Sequence, residues 1–337
     1  MTYPKTIWNY SKRTEAERIL QAAYHIQNQF YLKKGFLVLP YNIPKNPAVI
    51  FFPKLNYQKI PQFWQEAKNA KKNAVLKKRP IIDHIVNILL EENLDYSQLK
   101  KDWQKKEKIF WQYVIANFPS YFKNVQILEI RPTLYGSIAT AYSSWFKDNT
   151  KIIIYIREDA DVSHIPEALF IDRLRVYKRA SDEDYSWEYG EAIIDFLLTE
   201  TKLAAIFPNY KETLTSLRNF QEGKFIKESK EYLRSLGVYL GRIFEIKNNQ
   251  IFIKGKPNKI ILSSTQEKIL HLLIKNRQKI VSFDEIADVI WGEKSYDKFS
   301  EYAITKTIQR LREKVSLMGV FPQIIQTVRK RGYVLMD

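Results

Sequence analysis

The chain has 337 residues, 45% of them hydrophobic, and carries 54 Lys and Arg against 37 Asp and Glu, a formal charge of +17. That length accommodates two or three domains, and that charge favours a polyanionic partner, nucleic acid or an anionic membrane surface, although a compositional bias toward Lys, Asn and Ile is the plainer source of part of it. Cysteine is absent, which excludes disulfides, thiolate catalysis and cysteine-based zinc sites.

Met1 to Phe30 is interrupted by Lys12, Arg13, Glu15, Glu17 and Arg18, so it lacks the apolar core of a secretory signal. No run approaches the ~20 apolar residues that span a bilayer. The expected setting is the cytoplasm, with no membrane partner. A helical stretch near Thr14 to Phe30 leads to short apolar runs, Phe36 to Leu39 and Ala48 to Phe52, which read as strands bounded by Pro40, Pro47 and Pro53. Basic and aromatic helices follow: a Lys cluster from Lys68 to Arg79, then "IIDHIVNILLEE" and "KDWQKKEKIFWQYVIANF" with apolar residues at helical spacing. The Lys cluster reads first as a solvated helix face and second as extra phosphate contacts. Strand-like "VQILEIRP" and "KIIIYIRED" flank "TLYGSIATAYSS", whose single Gly does not make a phosphate-cradling loop. "HIPEALFIDRLRVY" and "WEYGEAIIDFLLTETKLAAIF" read as helices, and the stretch from Lys211 to Leu236 as a helix leading into a second unit.

After Gly237 the composition shifts to short strand-like pieces, "GRIFEI" and "QIFIKG", then three helices and a terminal hairpin. Ser264 or Thr265 is placed to cap the first helix, with Ile269, Leu270, Leu272 and Leu273 on its buried face, and Ser282 to cap the second. The third, "EYAITKTIQRLREKV", sets Ile304, Ile308, Leu311 and Val315 on one stripe and turns Tyr302, Lys306, Gln309 and Arg310 to the other face. "PQIIQTVRKRGYVLMD" reads as two strands joined at a turn carrying Arg329, Lys330 and Arg331, with Gly332 supplying positive φ. From Phe299 to Arg331 there are seven Lys and Arg against two Glu.

These motifs, in this order, resemble the winged-helix effector domain of OmpR/PhoB-type bacterial response regulators from about Phe244 to Leu335. The resemblance implies a four-stranded sheet, a three-helix core and a C-terminal hairpin, with double-stranded DNA as partner. The third helix would enter the major groove and the wing the adjacent minor groove or its phosphates. By that resemblance the contacts are Tyr302, Thr305, Lys306, Gln309, Arg310 and Arg312 on the helix and Arg329, Lys330 and Arg331 on the wing. Where Lys330 stands, the family commonly has glycine. The loop Gly292 to Ser300 resembles the segment that touches RNA polymerase, although a solvated loop is an equal reading. Homodimer pairing on direct repeats is implied in the same way.

A response regulator would begin with a receiver domain, yet residues 1–235 show neither the acidic pair after a first strand nor the phospho-accepting Asp after a third. "KIIIYIREDADVSHIPEALFIDRL" followed by "WEYGEAIIDFLL" is weakly similar to a minimal zinc peptidase, with His164, Glu167, Glu191 and Asp195 as the remnant. Ala168 stands where the second His belongs. Surface helix polarity is the simpler explanation, and neither a metal nor any other cofactor is expected. The fold class expected is α+β: an N-terminal mixed α+β domain of unknown input at 1–210, a helical linker at 211–236, and a winged helix-turn-helix domain at 237–337. The function expected is a DNA-binding transcription regulator and not an enzyme. Two alternatives stay open: a metal-dependent hydrolase targeted by its winged helix, or a winged helix that binds protein.

Overall fold

The computed structural model of the protein describes residues 3–69, 80–90, 94–142, 150–178, 187–220, 222–295, 299–318, 320 and 324–336. The Lys cluster anticipated at 68–79 lies almost entirely outside the described residues. The chain divides into two units, Met1–Val238 and Tyr239–Asp337.

In the first unit, β1 (Lys5–Trp8), β4 (Ile127–Thr133) and β6 (Lys151–Arg157) run parallel, and β5 (Ala139–Tyr142) is antiparallel to β6, giving the order β1-β4-β6-β5. β4 and β6 are buried along almost their whole length, as central strands covered on both faces must be. β2 (Leu37–Leu39) and β3 (Val49–Phe51) form a separate parallel pair. Around them lie α1 (Lys12–Gln27), α2 (Phe30–Lys33), α3 (Phe63–Asn69), α4 (Pro80–Ile88), α5 (Ser97–Asn117), α6 (Pro119–Phe122), α7 (His164–Lys178), α8 (Trp187–Glu200), α9 (Lys202–Ile206), α10 (Thr213–Asn219) and α11 (Gly223–Ser235).

Trp103, Phe110 and Trp111 of α5 share a core with Ile152, Ile154 and Ile156 of β6 and with Leu169 and Phe170 of α7. α1 starts at a capping box in which Ser11 Oγ accepts from Thr14 N and Thr14 Oγ1 accepts from Ser11 N. It then buries an unusual set of charges. Arg131 donates from Nη1 to Glu17 (2.6 Å) and to the Tyr155 hydroxyl (2.6 Å), and from Nε to Glu129 (2.5 Å). Lys151 pairs with the second oxygen of Glu129. Burial alone would raise the Glu129 carboxyl, but the Lys151 bond and the Arg131 charge bring it down to about 2.

β1 and β5 are absent from the sequence reading. β1 is a four-residue edge strand, and β5 lies inside a segment whose Gly, Ser and Thr content masks its pairing. The helical pattern near 187–207 divides at Thr201, whose Oγ1 accepts from Leu203 N (3.2 Å) and starts α9. Residues 211–236 form α10 and α11 and not one helix. α11 is joined to β2 and to the residue that follows β3: Ser229 Oγ accepts from Val38 N (2.9 Å) and the Tyr232 hydroxyl donates to the Phe52 carbonyl (2.7 Å). The segment read as a linker is thus packed within the first unit. Its apolar stripe is too short to signal that from sequence.

In the second unit, β7 (Phe244–Lys247), β8 (Gln250–Ile253) and β9 (Lys256–Pro257) form an antiparallel sheet. Its turns fall at Asn248-Asn249 and Lys254-Gly255, all four with positive φ, the backbone of a tight two-residue hairpin. Among the described residues this sheet has three strands where the resemblance implied four. α12 (Ser264–Lys275), α13 (Phe283–Trp291) and α14 (Glu301–Leu317) follow. The cap of α12 is Ser263, one residue earlier than read, because Ser263 Oγ accepts from Gln266 N while the Gln266 side chain returns to Ser263 N. Ser282 caps α13 through the same box with Glu285. β11 (Ile325–Val328) and β12 (Gly332–Leu335) make the hairpin, and β10 (Ile280–Ser282), not anticipated, pairs with β12 to give the order β10-β12-β11. No helix among the described residues is long and apolar enough to cross a membrane.

Candidate nucleic-acid interface

α14 begins at Ser300, whose Oγ accepts from Ala303 N (3.2 Å). Ile304, Ile308, Leu311 and Val315 are fully buried in a core with Ile269, Leu273, Ile286 and Tyr333. Burying each such side chain contributes roughly 1.5–3 kcal/mol, so the stripe fixes which face of α14 is left outside. Tyr302 (73% exposed), Thr305, Lys306, Gln309 and Arg310 occupy that outer face. The Lys306 ammonium lies 5.6 Å from the Tyr302 ring centroid, and Gln309 Nε2 reaches Glu313 at the long distance of 3.5 Å. Arg310 makes no hydrogen bond or ion pair among the described residues.

Arg312 is different. It is half-buried, and its Nε (3.0 Å) and Nη2 (2.7 Å) both donate to the Ile325 carbonyl, while Nη2 also donates to Thr327 Oγ1 (2.9 Å). Its guanidinium carbon lies 5.7 Å from the centroid of the Tyr333 ring. Burial lowers its pKa and the neighbouring Tyr333 raises it, within a range where the side chain stays charged. Thr305 Oγ1 stands 3.2 Å from the Tyr333 hydroxyl.

Between the wing strands, Arg329, Lys330 and Arg331 are exposed, and Arg331 N donates to the Val328 carbonyl (3.1 Å) to close the turn. Lys330 takes φ +57°, and Gly332 φ +141°. A Cβ at Gly332 would sit 1.9 Å from the Val281 carbonyl oxygen, so glycine there is what lets β12 lie against β10 at Ser282. Trp291, at the end of α13, is half-buried against the same core.

The remnant cluster in the first unit does not gather as a metal site. His164 Nδ1 is engaged with Glu167 Oε2, and Glu167 Oε1 accepts from Thr213 Oγ1 (2.6 Å). Asp195 accepts from the Tyr210 hydroxyl (2.7 Å). Among the described residues no group of three or more His, Asp or Glu is placed to hold a metal ion. The weak similarity to a zinc peptidase therefore finds no support.

Residues 256–335 match the family model described as "Transcriptional regulatory protein, C terminal". The regulatory protein VanR of Enterococcus faecium is 29% identical over 117 residues, 35% of this chain and 48% of that protein. The cholera toxin transcriptional activator of Vibrio cholerae is 30% identical over 94 residues, 28% of this chain and 32% of that protein. The chain thus spans about half or less of the length of these relatives. Among solved structures, the DNA-binding domain of the response regulator AdeR in complex with an intercistronic region aligns at 24% identity and a TM-score of 0.24, over 29% of this chain and 99% of that one. By its family match, residues 256–335 form a winged-helix domain of the OmpR/PhoB-type transcriptional regulatory family.

Proposed function

We propose that this protein is a DNA-binding transcription regulator. α14 reads the major groove through Tyr302, Thr305, Lys306, Gln309 and Arg310, and Arg329, Lys330 and Arg331 hold phosphates or a narrowed minor groove. The observation that carries the reading is the pair of exposed basic surfaces, on α14 and on the wing turn, that one buried core leaves outside. The VanR and cholera toxin activator relatives support it. Residues 1–238 act as the input unit, with no catalytic step. Gly292 to Ser300 supplies the contact to RNA polymerase, and two copies pair on repeated half-sites.

Selection of random duplex DNA by the full-length protein, beside an Arg329→Ala/Arg331→Ala variant, tests the reading. An enriched motif is expected, together with a log affinity that falls against log salt with a slope of roughly −5 if the six cations Lys306, Arg310, Lys314, Arg329, Lys330 and Arg331 neutralise phosphates. The variant should bind the same motif more weakly, with the slope reduced by about 2. A slope near zero, or charge reversal at Arg329 and Arg331 without effect, would point to protein binding by the winged helix instead.

A further inference from the structure

We propose that Arg312 is a positioning residue, a clamp that fixes the wing to the recognition helix so that both meet the duplex as one body; the inference rests on the DNA-binding reading. β11 is an edge strand of the order β10-β12-β11, and an edge strand presents backbone groups without ladder partners. The Ile325 carbonyl on that edge takes two donors from one guanidinium, at 3.0 and 2.7 Å, and the third bond goes to Thr327 two residues along. Two fixed donors of one planar guanidinium converging on a single oxygen is a geometry that Arg holds and Lys does not.

The clamp lies two residues from the first cation of the turn, since Thr327 is followed by Val328 and then Arg329. A second tie, from Thr305 to the Tyr333 hydroxyl (3.2 Å), reaches β12 about two helical turns earlier on α14. The helix therefore holds both strands of the wing, and the Arg312 side chain lies over the Tyr333 ring between the two ties. Lys306 and Arg310, on the same helix, make no hydrogen bond to the wing among the described residues. Spacing alone groups Arg312 with the DNA contacts. Its Nε and Nη2 donors are instead committed to the strand that carries the outer cations.

A double-mutant cycle separates a clamp from a direct phosphate contact. Binding of the selected duplex is measured across a salt series for the wild type, Arg312→Ala, Arg312→Lys, Arg329→Ala/Arg331→Ala, and Arg312→Ala combined with the wing pair. A clamp predicts that Arg312→Ala weakens binding on the order of tenfold, that Arg312→Lys does so too although the charge is kept, and that the combined variant binds no worse than the wing pair alone. Wild-type affinity in Arg312→Lys, or fully multiplicative losses in the combined variant, would overturn it in favour of a direct contact.

Amide hydrogen exchange on the free protein provides a readout that does not need DNA. Exchange should accelerate at Val328 to Arg331 in Arg312→Ala, while the amides of α12 and the thermal unfolding of the second unit hold. Unchanged wing exchange would sink the clamp. If the wild type binds no duplex while wing exchange still responds, the DNA reading fails and the clamp stands as a structural tie.

Discussion

Gly332 occupies a position that no other residue fills without displacement. Its φ of +141° and the 1.9 Å approach of a would-be Cβ to the Val281 carbonyl combine a disfavoured backbone with a direct clash against the neighbouring strand. Gly332→Ala should destabilise the second unit by about 1–3 kcal/mol or more, read as an early unfolding transition in denaturant that leaves the first unit unmoved. Lys330 is the opposite case. It sits in the left-handed region at φ +57°, where an L side chain costs roughly 1–2 kcal/mol. Lys330→Gly should therefore raise the stability of the second unit, by up to about 1 kcal/mol after the entropy cost of glycine, while the salt slope of DNA binding falls by about 1. A loss of stability in that variant would show that the Lys330 side chain packs more than its exposure suggests. Both glycine chemistry and the exposed turn were legible in "RKRG", because turns are local. The strain at Lys330 was not, since a residue type does not reveal which position of a turn it will occupy.

At the scale of elements, α7, α8, the start of α10 and the segment before it meet over buried carboxylates. Asp195 on α8 accepts from Tyr210, and Glu167 on α7 accepts from Thr213. Burial raises the Asp195 carboxyl from 3.8 to about 6; the Tyr210 bond and the Thr213 backbone bond oppose this, and the charges of Glu167 and Glu212 reinforce it. The folded state then keeps a proton that the unfolded chain has already lost between about pH 4 and 6. Asp195 therefore favours the folded state most on the acid side of that window, and its contribution declines as pH rises through it.

Asp195→Asn keeps an acceptor for Tyr210 and removes the titration. Its melting temperature, compared with the wild type at several pH values, should diverge upward from about pH 4 to 6 and run parallel above. Parallel curves throughout would show that Asp195 titrates normally. From sequence, Glu167 and Asp195 suggested only helix polarity or a vestigial site, because burial is set by the packing of α10 and Tyr210, many residues downstream. The caps of α12 and α13 were legible at nearly the correct residue. A capping box is a contact across three residues and needs no tertiary partner.

For the whole molecule, the division at Val238 and Tyr239, with a separate hydrophobic core in the second unit, implies that residues 239–337 fold alone. That fragment should melt cooperatively and select the same DNA motif as the full chain. A fragment that is unfolded, or that prefers a different motif, would show that residues 1–238 take part in the recognition itself.

What the sequence determined by itself was the winged-helix unit: its caps, the stripe of Ile304, Ile308, Leu311 and Val315, and its basic turn. All of these are encoded within a few residues of one another. Tertiary structure alone decided the rest. It placed β1 beside β4 across more than a hundred residues, buried Glu17, Glu129 and Arg131 as one network, packed α11 into the first unit, and turned Arg312 toward β11 while leaving Arg310 outside. The physical reason is the same in each case. Periodicity and capping describe a helix to itself, whereas a charged side chain acquires its role from the atoms that distant segments bring within 3 Å of it.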